Sequence, residues 1–354
     1  MLFKFKNAKI SGVLTIVPKN VVKFDDEVNN YTFSPKQTLK LKKIMGYEER
    51  RIAPSGVCTS DLCEYGVKYL FENKLLKKDE IDALILVTQS PDYYMPATSN
   101  ILHGKLGLKE DVVCMDINQG CCGYIIGLIQ SFMLLEQPSI KKVLLLNGDV
   151  LSPKISKKDR NSCPIAGDGA SVTVLEKTEY SEFVLADIKT DGANAMCLNI
   201  PAGGFRMPCS AETAVMKQDE CGNIRSLNNL VMRGDDVFNF VMTKVPTQIE
   251  FLLKENNMTK EELDYFVCHQ PNRFMLQKLA DKLEVNYEKL PNNIVEKFGN
   301  SSGATIPTNL CYNFKDELLN KTLKVCLSGF GIGLTWASML INIGKLDFCE
   351  IIEY

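Results

Sequence analysis

The sequence predicts an α/β protein built from two related halves. Apolar runs of strand length, among them IDALILVTQ, VVCMDIN, KKVLLLNGD, SVTVLEK, LDYFVCH and KVCLSGF, alternate with helical patterns. That alternation favours layered sheets and helices over an all-helical or all-β chain. At 354 residues the chain exceeds the roughly 250–300 at which one core stops growing, so two domains or one duplicated unit are expected. Segments of the first half also find echoes in the second.

Taken in order, the start MLFKFKNAKISGVLTIVPKN lacks the basic, then apolar, then small-residue plan of a signal peptide. Thr59 to Asn73 reads as a helix, with Thr59 or Ser60 at its N-cap. Val112 to Ile117 reads as a buried strand, Gln119-Gly120 as a tight turn, and Tyr124 to Leu135 as a helix apolar on nearly every side, ending before Pro138. AGDGASVTVL then offers a glycine turn before a strand. The region from Asn194 to Asn228, rich in Gly, Asn and Cys and poor in periodicity, reads as loops over a pocket. Lys260 to Leu263 leads into the strand LDYFVCH, and Pro271 suits a first helical position. GFGIGLTWASMLI repeats the plan of glycine turn and strand. The runs IDALILV and LDYFVCH follow similar charged leads, LLKKDE and NMTKEE, and strand-turn-helix units follow in both halves. A diverged duplication divides the chain at 1–180 and 181–354.

Composition excludes several classes. Forty-one basic and 43 acidic side chains give a net charge of -2 without a long basic block, so nucleic acid is not an expected partner. No apolar run reaches membrane-spanning length, and a cytoplasmic protein is expected. Many of the 13 cysteines lie inside apolar runs and read as reduced core thiols. With two histidines and no C-x-x-C pair, no metal site is expected.

Chemistry concentrates in three places. Cys121 and Cys122 in NQGCCGY sit at a strand-to-helix turn, where unpaired N–H groups and the helix dipole favour a thiolate. His269 ends a strand, at the edge where ligands gather in α/β sheets. Asn300 lies in the turn KFGNSSGATIP, whereas His103 sits near a helix C-cap glycine and reads as structural. Cys, His and Asn in this order admit a hydrolase, in which Asn orients His and His activates Cys. They equally admit a condensing enzyme. The papain signature C-G-[SA]-C-[WY] is absent from QGCCGY.

The condensing-enzyme reading has the closer matches. NQGCCGY resembles the A-C-A-G-[FY] nucleophile turn of the β-ketoacyl-acyl-carrier-protein synthase III family, with Cys121 in the nucleophile place. HQPN resembles that family's H-Q-A-N, GNSSGA its G-N-T-S-A, and GDGA and GFGIGLTWAS two further signatures. The five blocks keep the family's order, and weaker similarity in MGYEERRIA and TQSPDYYMP extends it toward the N-terminus. The resemblance implies a thiolase-like, duplicated α-β-α-β-α fold of five layers whose halves meet at the active site.

It also implies a mechanism. Cys121 would take the acyl group from a thioester, and a malonyl thioester would then lose CO2 to give an enolate, stabilised by His269 Nε2 and the Asn300 amide. The backbone N–H groups of Cys121 and Ile332 would form the oxyanion site for the acyl carbonyl. Arg160, Asn272, Met95 and Phe330 would bind substrate, with Arg160 on the coenzyme A nucleotide and Met95 at the floor of the partner subunit's acyl pocket. Implied partners are acyl-CoA, an acyl carrier protein and a second copy in a homodimer. Coenzyme A and phosphopantetheine thioesters are substrates in this scheme, with no metal or prosthetic group, in fatty-acid or related lipid biosynthesis. Arg273, Lys278 and Lys282 follow the histidine on one helix, Lys278 and Lys282 on a shared face, and offer either cations to an acidic carrier or a solvated helix surface. An O- or N-acyltransferase using Cys121 without decarboxylation is the alternative, ahead of the hydrolase and of a non-enzymatic scaffold.

Overall fold

The computed structural model describes residues 1–179 and 184–354, so the expected boundary at 180/181 lies outside the described residues. Two mixed sheets form the frame. The first runs, edge to edge, Phe348–Glu353, Ala8–Val17, Gly169–Lys177, Lys142–Asp149, Ala83–Val87 and Val113–Ile117. The second runs Leu2–Phe5, Val184–Thr190, Thr335–Gly344, Thr322–Gly331 and Tyr265–Cys268.

Strand alternation explains why the sheets stack. In Ala83–Val87, the side chains of Ala83, Ile85 and Val87 enter the central core, while Leu84 and Leu86 enter the outer one. A strand apolar on both faces must be covered on both. Helices Thr59–Glu72 and Thr98–Leu106 cover the outer face of the first sheet through Leu62, Val67, Leu70, Leu102 and Leu106. Helices Gly234–Glu255 and Arg273–Leu283 cover the outer face of the second through Phe240, Val241, Leu276 and Leu279. Between the sheets lie Gly123–Leu135 and Thr305–Asn320, whose side chains share one core with strands of both. The result is the expected duplicated α-β-α-β-α arrangement.

Topology refines the echo. Ala83–Val87, Lys142–Asp149, Gly169–Lys177 and Ala8–Val17 stand side by side in the same order as Tyr265–Cys268, Thr322–Gly331, Thr335–Gly344 and Val184–Thr190. The counterpart of the helix after the cysteines is therefore Thr305–Asn320, since both fill the middle layer, and not the helix after His269. The two halves also exchange terminal strands. Leu2–Phe5 pairs antiparallel with Val184–Thr190, and Phe348–Glu353 pairs parallel with Ala8–Val17. A division at 180/181 thus leaves one strand of each half in the other's sheet.

Local expectations change where a side chain has other work. Cys58 caps the Thr59–Glu72 helix, and its N–H donates to Asp61 Oδ2 at 2.9 Å. Thr59 and Ser60 instead bond Ser90 and Asp92, at 2.8 and 2.7 Å. Val113–Ile117 is the edge strand of its sheet and only partly buried, not a buried strand. Pro271 precedes its helix, because Asn272 takes the N-cap and its Oδ1 accepts from the Met275 N–H at 2.8 Å.

Candidate active site

Cys121, His269 and Asn300 line one cavity of about 510 Å3, with Phe330, Gly331, Asn272 and Arg160. Its remaining wall is mostly apolar, from Leu41, Ile44, Met45, Val237, Phe238 and Phe274. A second hollow, about 350 Å3 beside Leu253, Met258 and Phe266, holds none of the three.

The two cysteines separate cleanly. Gly120 to Cys122 make the turn, closed by the Gly123 N–H donating to the Gly120 carbonyl at 2.6 Å, and the helix begins at Gly123 with Cys122 as N-cap. Cys122 points into the middle core, fully buried, where desolvation pushes its thiol far above the ordinary range. Cys121 keeps partial exposure to the cavity. Its Sγ receives the backbone N–H groups of Ile332 and of Cys121 itself. The chain carrying Ile332 can come so close because of Gly331, where a Cβ would stand 2.7 Å from Cys121 Cβ and 2.9 Å from Sγ.

The thiolate expected from the helix dipole is not the resting state. Burial pushes the Cys121 thiol up to about 11, against the lowering effect of the Ile332 N–H and the Ser302 hydroxyl. Desolvation disfavours the charged form by more than two or three hydrogen bonds restore. A neighbouring carboxylate adds to it. Asp149 Oδ1 accepts from Gln89 N–H, Thr88 Oγ1 and Ser90 Oγ at 2.7, 3.1 and 3.1 Å, yet burial raises this carboxyl to about 6. The Ser302 hydroxyl reaches both Asp149 and Cys121. Nothing in the Asp149 segment LLNGDVL marks it as a neighbour of the nucleophile in the sequence.

His269 follows the strand Tyr265–Cys268 and is 1% exposed. Its Nδ1 lies 2.7 Å from Thr305 Oγ1, Phe330 stands edge-on with ring centroids 5.7 Å apart, and burial lowers the imidazole to about 3. It is neutral at pH 7. Asn300 is oriented by its own turn. Its Oδ1 accepts from the Ser302 N–H at 2.9 Å, so the amide Nδ2 is the group left for the cavity. Ser302 reaches this position at φ +57°, in the left-handed region. The Asn300 backbone is stitched to the first half by N–H donation to Ile165 at 2.6 Å and acceptance from Gly167 at 3.1 Å. A Cβ at Gly167 would stand 2.3 Å from the Phe298 carbonyl, which explains the first glycine of GDGA as a close approach between halves. Asp168 in the same block is a brace, accepting from Ala53 N–H at 2.8 Å and Ser152 Oγ at 2.6 Å.

The outer residues fare differently. Arg160 stands at the cavity mouth with its guanidinium carbon 3.2 Å from the Phe33 ring centroid, an aromatic partner the sequence did not announce. Of residues Asn194 to Asn228 only Leu198 lines the cavity, beside Met232 of the strand paired with it. Part of the segment braces the Arg160 loop from outside, through Asn223 Oδ1 on the Arg160 N–H at 3.1 Å and Arg225 on Asp159 at 2.9 Å. Met95 lies outside its own chain's cavity, 79% exposed, between exposed Tyr94 and the cis bond to Pro96. It does not fill core. On the expected carrier face, Arg273 pairs with Glu296 and Lys278 with Asp281. Two of its three cations are thus already engaged.

Residues 115–192 match the family described as 3-oxoacyl-[acyl-carrier-protein] synthase III, and residues 253–343 match its C-terminal region. The chain is similar to a Streptococcus mutans β-ketoacyl-[acyl-carrier-protein] synthase III, 34% identical over 338 residues covering 95% of this chain and 99% of that one. A Campylobacter jejuni relative, provisionally named 3-oxoacyl-[acyl-carrier-protein] synthase 3, is 35% identical with 100% and 99% covered. Among solved structures, a 3-oxoacyl-(acyl-carrier protein) synthase of Burkholderia xenovorans superposes with a TM-score of 0.92 at 34% identity, covering 100% of this chain and 99% of that one.

Proposed function

Since the chain belongs to the 3-oxoacyl-[acyl-carrier-protein] synthase III family, we propose that it condenses an acyl thioester with a malonyl thioester, with loss of CO2, in fatty-acid biosynthesis. The orientation of Asn300 carries the reading. In a Cys-His-Asn hydrolase the asparagine orients the histidine. Here the group on His269 Nδ1 is Thr305, and the Asn300 carbonyl oxygen is taken by Ser302, which leaves the amide donor for substrate.

In this mechanism the Cys121 sulfur attacks the acyl carbonyl, whose oxygen is held by the N–H groups of Cys121 and Ile332, and coenzyme A departs as the free thiol, carrying off the proton that Cys121 gives up. The acyl chain extends along the apolar wall. A malonyl thioester then enters, and His269 Nε2 and Asn300 Nδ2 donate to its thioester oxygen as the carboxylate leaves as CO2. The resulting enolate carbon attacks the acyl carbonyl and expels Cys121 as a thiolate, which takes up a proton from water to restore the resting thiol. Neutral His269 suits this role, since a cationic ring would stabilise the malonyl carboxylate and so oppose its loss as CO2. The reaction draws on no metal or prosthetic group.

Around this centre, Arg160 and Phe33 would hold the coenzyme A nucleotide at the mouth. Asn272 would meet the pantetheine arm through its Nδ2, because its Oδ1 caps a helix. For an acidic carrier, the helix Pro35–Met45 is the better basic face. Lys36, Lys40 and Lys43 on it are exposed and, among the described residues, have no ion pair, and Leu41, Ile44 and Met45 of the same helix line the cavity. The enzyme would act as a homodimer in the cytoplasm; among the described residues no helix is long and apolar enough to cross a membrane.

The test is a pair of half-reactions with Asn300→Ala. The variant should still acylate Cys121, seen by intact mass, but release CO2 from a malonyl thioester roughly a hundredfold more slowly or worse, the usual effect of deleting an oxyanion donor. Wild-type enzyme that acylates and releases no CO2 would point to plain acyl transfer.

A further inference from the structure

The Thr305 hydroxyl lies at a branch in the hydrogen bonding behind His269, and every group there is buried. Its Oγ1 accepts the Gln270 N–H at 3.2 Å. Two acceptors compete for its single proton, His269 Nδ1 at 2.7 Å and the Ser302 carbonyl at 3.0 Å. The Ser302 carbonyl does not depend on that proton, because it also receives the Thr305 backbone N–H. The shorter of the two contacts goes to the ring, which also faces the Ser302 carbonyl.

The consequence is a choice of tautomer. When the hydroxyl donates to Nδ1, the neutral ring carries its proton on Nε2 and presents a donor to the cavity. If the hydroxyl turned to Ser302, Nδ1 would have to donate to Oγ1, and Nε2 would face the substrate as an acceptor. The two states have the same shape and opposite chemistry, because only a donor can stabilise an enolate oxygen.

We propose that Thr305 is a positioning residue that donates its hydroxyl proton to His269 Nδ1 and thereby fixes His269 as an Nε2–H donor for the malonyl half-reaction. This rests on the condensation reading for its use, while the tautomer itself can be measured without any substrate. Thr305→Val keeps the shape and removes the hydroxyl. The Ser302 carbonyl can then only accept from the ring, so the proton should move to Nδ1. Thr305→Ser keeps the hydroxyl.

The experiment uses ¹⁵N-histidine-labelled full-length enzyme, and only two histidines, His103 and His269, contribute signals. His269→Gln assigns them. Wild type and Thr305→Ser should show a protonated Nε2 and a bare Nδ1, and Thr305→Val the reverse. Decarboxylation of malonyl-CoA should fall about a hundredfold in Thr305→Val, with acylation of Cys121 kept and the rate restored in Thr305→Ser. A wild-type Nδ1–H, or a Thr305→Val enzyme that decarboxylates at the wild-type rate, overturns the proposal. If Thr305→Val fails to fold, the wild-type and Thr305→Ser spectra still decide it. Wild-type enzyme with the expected tautomer and no CO2 release would instead count against the condensation reading.

Discussion

The two adjacent thiols show how one residue of displacement at a turn decides reactivity. Cys121 opens to the cavity beneath two N–H groups, while Cys122 lies in the middle core among Ile125, Val267 and Leu327. Cys121→Ala should abolish acyl-enzyme formation and Cys122→Ala should leave it, with peptide mapping of the acylated protein as the check. The elevated Cys121 pKa sets a second expectation. Below about 11 the thiol is mostly protonated, so its thiolate fraction rises with pH. Alkylation of Cys121 by iodoacetamide should therefore quicken about tenfold per pH unit from pH 6 to 9 and show no plateau there. A plateau near pH 7 would mean that the thiol is not desolvated in solution. Cys121, His269 and Asn300 were legible in the sequence because each stands in a motif of contiguous residues. Thr305, Asp149 and Phe33 were not, since each becomes part of the site only through contacts distant in sequence. The sign of the Cys121 shift was misread for a related reason. A turn at a helix N-terminus can be seen in a string of letters, but the protein packed over it cannot.

Among elements, the contrast between two basic helices is informative. A row of cations in sequence says nothing about its counterions, and the helix Arg273–Leu283 finds them in its own Asp281 and in Glu296 of the short helix Val295–Phe298. Pro35–Met45 has a capping box at Ser34 and Gln37, and Lys42 is engaged by Asp25 and Glu48, which leaves Lys36, Lys40 and Lys43 for a partner. Reversing these three to Glu should raise the KM for a carrier-bound malonyl group by about tenfold or more at low salt. The KM for malonyl-CoA should barely change. An equal effect on both substrates would place the helix in general access to the cavity. The strands and the middle-layer helix were readable from apolar periodicity, whereas the edge position of Val113–Ile117 was not, because a strand's neighbours are set by topology.

For the whole molecule, the edge strand and the Met95 loop belong together. Asp116 on that strand accepts the N–H groups of Thr98 and Ser99 at 2.7 and 2.8 Å, which fastens the loop beside the open edge. Val113 is 41% exposed, and Tyr93, Tyr94 and Met95 of the loop are exposed as well. In a dimer joined at this edge, Met95 would enter the partner subunit's acyl pocket, and a flexible, unbranched side chain there can yield to a longer chain. Acylation should then improve from acetyl-CoA through butyryl-CoA to hexanoyl-CoA, with each buried methylene worth about 0.8 kcal/mol until the pocket ends. A sharp optimum at acetyl, unchanged in Met95→Ala, would remove Met95 from chain-length control.

The exchange of terminal strands reaches further than sheet completion. Because Leu2–Phe5 is hydrogen-bonded into one sheet and Phe348–Glu353 into the other, the halves are latched at both ends of the chain, with the shared middle helices between them. Swinging the halves apart would strip backbone ladders at two places at once, so the enzyme has no jaw to open. The distance between nucleophile and enolate donors is set like the gap of a welded frame, and the substrates must fit, one after the other, into a cavity whose walls cannot part to admit them.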